Sequence, residues 1–391
     1  FNVINNPGNA YNKFAGFILS NDDVVIASKN NINILSPSQN QFNMDLLSSN
    51  LSFDLNWENI YDFSSNGCGQ GANPNTNFCE GDNGDIYFAY CNYGMTNIIK
   101  ITNDTIIEII ADSLPGISIK SLAFHNSTLY VANNDYVYKY NSNILSDLNF
   151  QTSASQGPNH FSAIETLELN NDGIPYVVSS DTNYYGVIYK YLNNSWHQID
   201  NNFNFFAGGY SRDFLDFDAN NTGYLLTSNS SAAGLSIYKI LSDSVDLFYN
   251  FDPMFVMYQD YYAMELDNNG NPYVGFINNS NELGLIKYDG LDWLTILNST
   301  SMNPQGYYDY LDMQFNSYND LYLMYEGNDN NATVITFCNC DLQPYNSPTN
   351  LSNNSSYSKN LIKIINTLGK EVLTDYKNQP LFYIYDDGTV E

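Results

Sequence analysis

The stretch LDNNGNPYVGFINNSNELGLIKYDG, residues 266–290, sets a polar turn (DNNGN) between two apolar runs, then a second turn and a third run that carries a lysine. Asn, Asp and Gly tolerate left-handed backbone and bond their own main chain, and the alternation beside them is that of strands. Taken alone, such an acidic tip also resembles the start of a calcium loop. Its recurrence decides between the two. MELDNNGNPYVGF (264–276) aligns with LELNNDGIPYVV (167–178), LDFDANNTGYLLT (215–227) and MQFNSYNDLYLMY (313–325). Fainter copies are CEGDNGDIYFAY (79–90), LAFHNSTLYVAN (122–133) and FILSNDDVVIAS (17–28).

In six copies an aromatic opens the second strand, at Tyr87, Tyr130, Tyr176, Tyr224, Tyr273 and Tyr322, in steps of 43, 46, 48, 49 and 49 residues. Each of the five copies from Tyr87 to Tyr273 continues to a third strand with a lysine at one register: Lys100, Lys139, Lys190, Lys239 and Lys287. Short fourth strands follow, as in SWHQID (195–200), SVDLFYN (244–250) and DWLTIL (292–297). Four strands in about 45 residues, repeated radially, describe the blade of a β-propeller. Seven copies fall between about residue 10 and residue 345, so the expected fold is all-β, a seven-bladed β-propeller over residues 1–345, with six or eight blades as the neighbouring counts. Five of the nine Lys and Arg in residues 1–345 hold the one lysine register, which reads as scaffold: stems between blades, ammonium groups paired with acids.

Composition agrees. Tyr, Phe, Ile, Val and Asn are abundant, as strands and turns require. The formal charge of −29 would repel nucleic acid and anionic lipid surfaces, so neither is expected as a partner. No apolar run is long enough for a spanning helix. The chain opens FNVINN, without Met or a signal peptide, and is expected to be a processed or trimmed form.

Cys68 and Cys79 bracket the Gly/Asn-rich loop CGQGANPNTNFC, which a disulfide would close in an oxidising compartment. Cys338 and Cys340 fall short of a zinc set, and no metal-ligating set is expected from the cysteines or from His125, His160 and His197. The acidic turns lack the ligand pattern of an EF-hand loop and read as structural; calcium at their tips is the one cofactor left open, and no other is expected.

Composition changes near residue 346. NSPTNLSNNSSYSKN (346–360) reads as a linker, and residues 361–391 as two strands, LIKIIN and LFYIYD. The segment IKIINTLGKEV followed by NQPLFYIYDDGTVE resembles the C-terminal sorting domain of proteins exported by the type IX secretion system of Bacteroidota. The resemblance covers about 30 residues and rests on Lys363, Gly369, Lys370, Pro380, Phe382, Tyr383, Tyr385, Asp386, Asp387 and Gly388. It implies a short β-hairpin or β-sandwich-like sorting segment, passage through the periplasm and outer membrane, and two partners: the outer-membrane translocon and a shuttle protein that reads the tail. It also implies a secreted or cell-surface location. O-glycosylation of such exported proteins at Asp-Ser/Thr-apolar triplets would fall on Thr105, Ser113 and Ser244.

Two sets of residues depart from the repeat and are the functional candidates. The first strands, expected to line the central channel, carry Glu168, Asp216, Glu265 and Gln314 at one register, with Glu165, Asp213 and Asp312 nearby. If the protein is an enzyme, Glu168, Asp216 and Glu265 are its catalytic acids, acting on polysaccharide as a glycosidase or lyase; otherwise they solvate the channel. The second set lies between blades: Arg212, the chain's one arginine, with the tyrosine doublets Tyr184–Tyr185, Tyr261–Tyr262 and Tyr307–Tyr308. Rings beside Asn and Asp suit a glycan, and the same surface suits a surface protein. The reading that results is a secreted or cell-surface binding or adhesion module exported by its tail. A polysaccharide-acting enzyme and a subunit of a surface assembly are the alternatives.

Overall fold

In the computed structural model, copies of the repeat fold as four-stranded antiparallel sheets. It describes residues 2–5, 15–28, 31–35, 58–62, 78–92, 95–102, 106–114, 119–133, 135–150, 164–180, 185–199, 205–206, 214–229, 234–251, 262–277, 283–297, 311–326, 332–337, 361–366 and 381–385. The chain divides into two compact units, Phe1–Tyr345 and Asn346–Glu391. Among the described residues the first unit holds seven sheets, numbered here in chain order by residue span: 15–62, 78–114, 119–147, 164–206, 214–250, 262–297 and 311–337. Strands follow one another within each sheet, first to fourth, and Phe205–Phe206 adds a short fifth to sheet 4.

Sheet 7 is the exception in connectivity. Residues 311–337 supply three strands, and the fourth is Asn2–Asn5, antiparallel to Ala332–Phe337 with Val3 opposite Ile335. The sequence reading began the first sheet near residue 10 and missed this strand. It fastens the two ends of the first unit into one sheet. First strands of successive sheets touch all the way round, and that of sheet 7 returns to that of sheet 1. This is the closed ring of a β-propeller.

One register explains the repeat. The blade tyrosine faces the first strand on one side and the lysine on the other: Glu168–Tyr176–Lys190, Asp216–Tyr224–Lys239 and Glu265–Tyr273–Lys287. Its ring packs against an apolar residue of the next sheet. Tyr87 stacks on Phe124 at 5.1 Å, Tyr176 lies tilted against Phe217 at 4.7 Å and Tyr273 meets Phe315 edge to face at 4.9 Å. Separate apolar clusters fill the seams between consecutive sheets, from the 1–2 seam to the 6–7 seam. Fully burying one of their Leu or Ile side chains contributes about 1.5–3 kcal/mol. Lysines of the register pair with acids, as the sequence suggested, and also lie over the tyrosine rings. Lys287 lies 5.0 Å from the Tyr273 ring and 3.8 Å from Asp267, and Lys100 pairs with Asp85 at 2.8 Å. Gly275 lets sheet 7 approach, since a Cβ there would stand 2.9 Å from the Met313 sulfur.

The opening DNNGN turn is a clasp. Asp267 Oδ1 accepts the amides of Asn269 and Asn271, as Asn170, Asp218 and Asn316 do in sheets 4, 5 and 7. Left-handed backbone falls at Gly173, Asn221, Gly270 and Asn319. Three of these four turns then grip the next one. The Asn268 amide donates to Asn319, Asn171 to Asn221, and Ser317 to Asp22 across the ring closure.

The second unit shows one hairpin, Leu361–Asn366 with Leu381–Tyr385, in which Ile364 pairs with Tyr383 and Ile365 with Phe382.

Deleting residues 1–6 should lower the unfolding free energy by roughly 2–4 kcal/mol, at about 1 kcal/mol for each ladder bond lost. Urea titration followed by tyrosine and tryptophan fluorescence measures this, and an unchanged midpoint would show that the ring does not depend on the strand.

Candidate functional site

The first strands present one side chain each to the axis at the register opposite the blade tyrosine: Cys79, Ala123, Glu168, Asp216, Glu265 and Gln314, with Phe17 opposite Val25 in sheet 1. All seven line one cavity of about 360 Å³. Its wall is divided. At that register sheets 1–3 contribute Phe17, Cys79 and Ala123, whereas sheets 4–7 contribute Glu168, Asp216, Glu265 and Gln314. Beside them Phe78, Glu80, Leu122 and Phe124 line the first half, and Asp312 with Leu167, Phe214, Leu215, Met264 and Met313 the second. Consecutive sheets are neighbours in the ring, so these form a mainly apolar arc and an acidic arc.

Several acids also serve the seams between sheets. Asp216 Oδ1 accepts the Phe217 amide, and its Oδ2 reaches into sheet 6 for the Leu266 amide at 3.1 Å. Gln314 does the same across the ring closure, accepting from Ile18 N at 2.7 Å and donating to Ile18 O at 3.3 Å. Glu168, one methylene longer, folds back onto the Leu169 amide. Glu165 accepts from Ser180 and pairs with Lys120 of sheet 3 at 3.5 Å.

Burial dominates the acid chemistry. It pushes Glu168 up to about 8, against the Leu169 amide and with help from Asp216. Asp216 rises to about 6, burial outweighing its two backbone donors. Glu265 is raised well above the usual carboxylate range by burial and then by Asp216, Asp312 and Glu168. The Cys79 thiol is raised too, by burial first and then by Glu168 and Glu80. At neutral pH part of the acidic arc is protonated, and donates as well as accepts hydrogen bonds.

The other sequence candidates fare differently. Cys79 is a free, buried thiol in the channel wall, so the expected bridge to Cys68 is corrected: the strand Phe78–Glu80 turns that side chain to the axis. Cys68 itself lies outside the described residues. Tyr262 is also corrected as a ligand contact. It is 1% exposed, packed with Tyr224, Leu226 and Met264 in the seam between sheets 5 and 6. Tyr185 begins the third strand of sheet 4. Arg212, Tyr184, Tyr261, Tyr307 and Tyr308 lie outside the described residues. Lys363, Phe382, Tyr383 and Tyr385 are on the hairpin strands, whereas Gly369, Lys370, Pro380, Asp386, Asp387 and Gly388 lie outside. Ser113 is within the strand Ile106–Leu114 and Ser244 in the turn before Val245, whereas Thr105 is not described. The apolar arc escaped the sequence reading. Aligning Phe17 and Phe78 on the neighbouring copies would have placed them beside the channel acids.

No protein-family profile and no curated protein matches the chain. Solved structures do. A lectin, BP39L from Burkholderia pseudomallei, superposes with a TM-score of 0.59 at 10% identity, over 84% of this chain and 96% of its own. Virginiamycin B lyase from Staphylococcus aureus gives 0.55 at 10% identity, over 86% and 98%. The extracellular domain assigned to a hybrid two-component system of B. thetaiotaomicron gives 0.51 at 14% identity, over 82% of this chain and 37% of its own. At such identities the likeness speaks for the propeller fold alone.

The raised acids carry a pH signature. An acid whose pKa is higher folded than unfolded holds extra protons in the native state, so that state loses ground as pH climbs from the unfolded value. For Glu168 the window runs from 4.5 to about 8. Glu168→Gln should therefore raise the melting temperature at pH 8 and leave it unchanged at pH 4. A pH series of thermal melts reads this, and a gap that is the same at both ends would contradict it.

Proposed function

We propose that this chain is a secreted or cell-surface binding or adhesion module whose ligand site is the central channel, and that residues 361–391 are its export signal, read by a type IX translocon and shuttle protein. The observation that carries the binding reading is the divided wall of the channel. Its cavity of about 360 Å³ falls among small-ligand pockets, and it joins aromatic surface to converging polar groups. A saccharide suits such a wall, its ring faces stacking and its hydroxyls bonding to carboxyl groups. The ring architecture has a precedent in the lectin it resembles. Among the described residues no group of three His, Cys, Asp or Glu side chains is placed to hold a metal ion. Support for the export reading is the sequence of the tail, which is carried on a unit separate from the propeller.

A glycan array probed with the intact chain should give saturable binding, and plant and algal polysaccharides incubated with it should stay uncleaved. Polysaccharide turnover abolished by Glu168→Gln or Glu265→Gln would replace this reading with that of an enzyme.

Residues 346–391 fused behind a fluorescent passenger with a signal peptide should bring it to the surface of a bacterium with a type IX system, and Gly369→Val with Lys370→Glu should hold it in the periplasm. A wild-type fusion that stays periplasmic would end the export reading.

A further inference from the structure

Among the described residues the charged lining of the channel has one sign. Its titratable groups are Cys79, Glu80, Glu168, Asp216, Glu265 and Asp312, and among the described residues no Lys, Arg or His lines it. Most of these acids have a donor. Ser20 serves both oxygens of Glu80, Leu169 serves Glu168, Phe217 and Leu266 serve Asp216, and Met313 serves Asp312. Glu265 is the exception. It is half-buried and lines the lumen, yet it accepts no hydrogen bond among the described residues, and the charged groups that act on it are three other acids. A carboxyl that faces the lumen with no protein donor of its own is open to a donor that a ligand brings.

The size and spread of the site limit what the ligand is. The acids are not grouped closely enough for three of them to share one metal ion, and the lumen of about 360 Å³ is far larger than a bare ion. Phe17, Phe78 and Phe124 also line it, Phe78 with its ring against Phe88 and Phe124 with its ring against Tyr87, and they offer carbon surface to a ligand's skeleton. A protonated amine brings three N–H donors and a compensating charge on a carbon skeleton. Resting on the binding-module reading and narrowing it, we infer that the channel takes a small organic ammonium ligand, such as a diamine or an amino-bearing sugar, with its nitrogen at Glu265 on the acidic arc and its skeleton against the phenyl rings. Protons compete with such a ligand for the same carboxyls, Glu168 and Asp216 titrating near 8 and 6, so its affinity rises with pH across that interval.

The test is calorimetric titration of the intact chain with 1,4-diaminobutane and 4-amino-1-butanol, beside 1,4-butanediol and calcium chloride, at pH 5.5 and pH 8 and matched ionic strength. Primary amines stay protonated at both values, given a pKa near that of lysine at about 10.4. Either amine should bind saturably at pH 8 and at least tenfold more weakly at pH 5.5, while the diol does not bind. Between those values the heats should depend on the buffer, reporting released protons. Glu265→Gln keeps the shape and removes the charge, so it should weaken amine binding at least tenfold without lowering the melting temperature, with Glu168→Gln as the second variant. Diol binding equal to amine binding, calcium binding without amine binding, or full affinity in both variants would overturn the inference. So would a positive glycan array with no amine bound, which leaves the binding module standing. Amine binding with a silent array supports the channel site and sinks the glycan instead.

Discussion

A four-stranded sheet with apolar residues on both faces has no stable existence in water, and this constraint shapes the whole first unit. Each face needs a neighbour, so seven sheets solve the problem only by meeting themselves. The blade tyrosine is where that need is met, because it is sandwiched within its own sheet and its ring lies against the next. Periodicity in the sequence follows. A tyrosine that seals a seam must recur once per sheet, and a lysine that covers it must recur in the same register.

The same geometry sets the chemistry of the channel. Asp216 and Gln314 hold equivalent positions and make equivalent bonds to the following sheet, one as an acid and one as an amide. A neutral side chain is therefore sufficient for the seam, and the charge at Asp216 has no structural need behind it. Glu265 carries the point further, since it makes no seam bond among the described residues while burial and three acids disfavour its charge. Acids retained against such opposition are where function is sought on a regular scaffold.

The repeat, its strands and the lysine register were legible because sealing and capping leave a signal in every copy. The channel acids were legible for the same reason, falling at one step from the turn. What failed was local. NVIN, residues 2–5, is too short to announce a strand, and its partner lies some 330 residues away in the chain. Cys68 and Cys79 invited a bridge by their spacing, but pleat direction, invisible in a loop count, turns Cys79 to the axis. Tyr262 looked like half of an exposed doublet. A strand begins at that residue, and its first side chain enters a seam.

The strand Asn2–Asn5 has one more consequence. Synthesis proceeds along the polypeptide, so within the unit this segment is made well before its partner and finds its place only when Ala332–Phe337 has followed. Until then every earlier sheet forms part of an open crescent with two bare flanks, and loop closure over nearly the full unit makes the final step slow. A unit built this way keeps its ring open until its last strand is free, and only then locks.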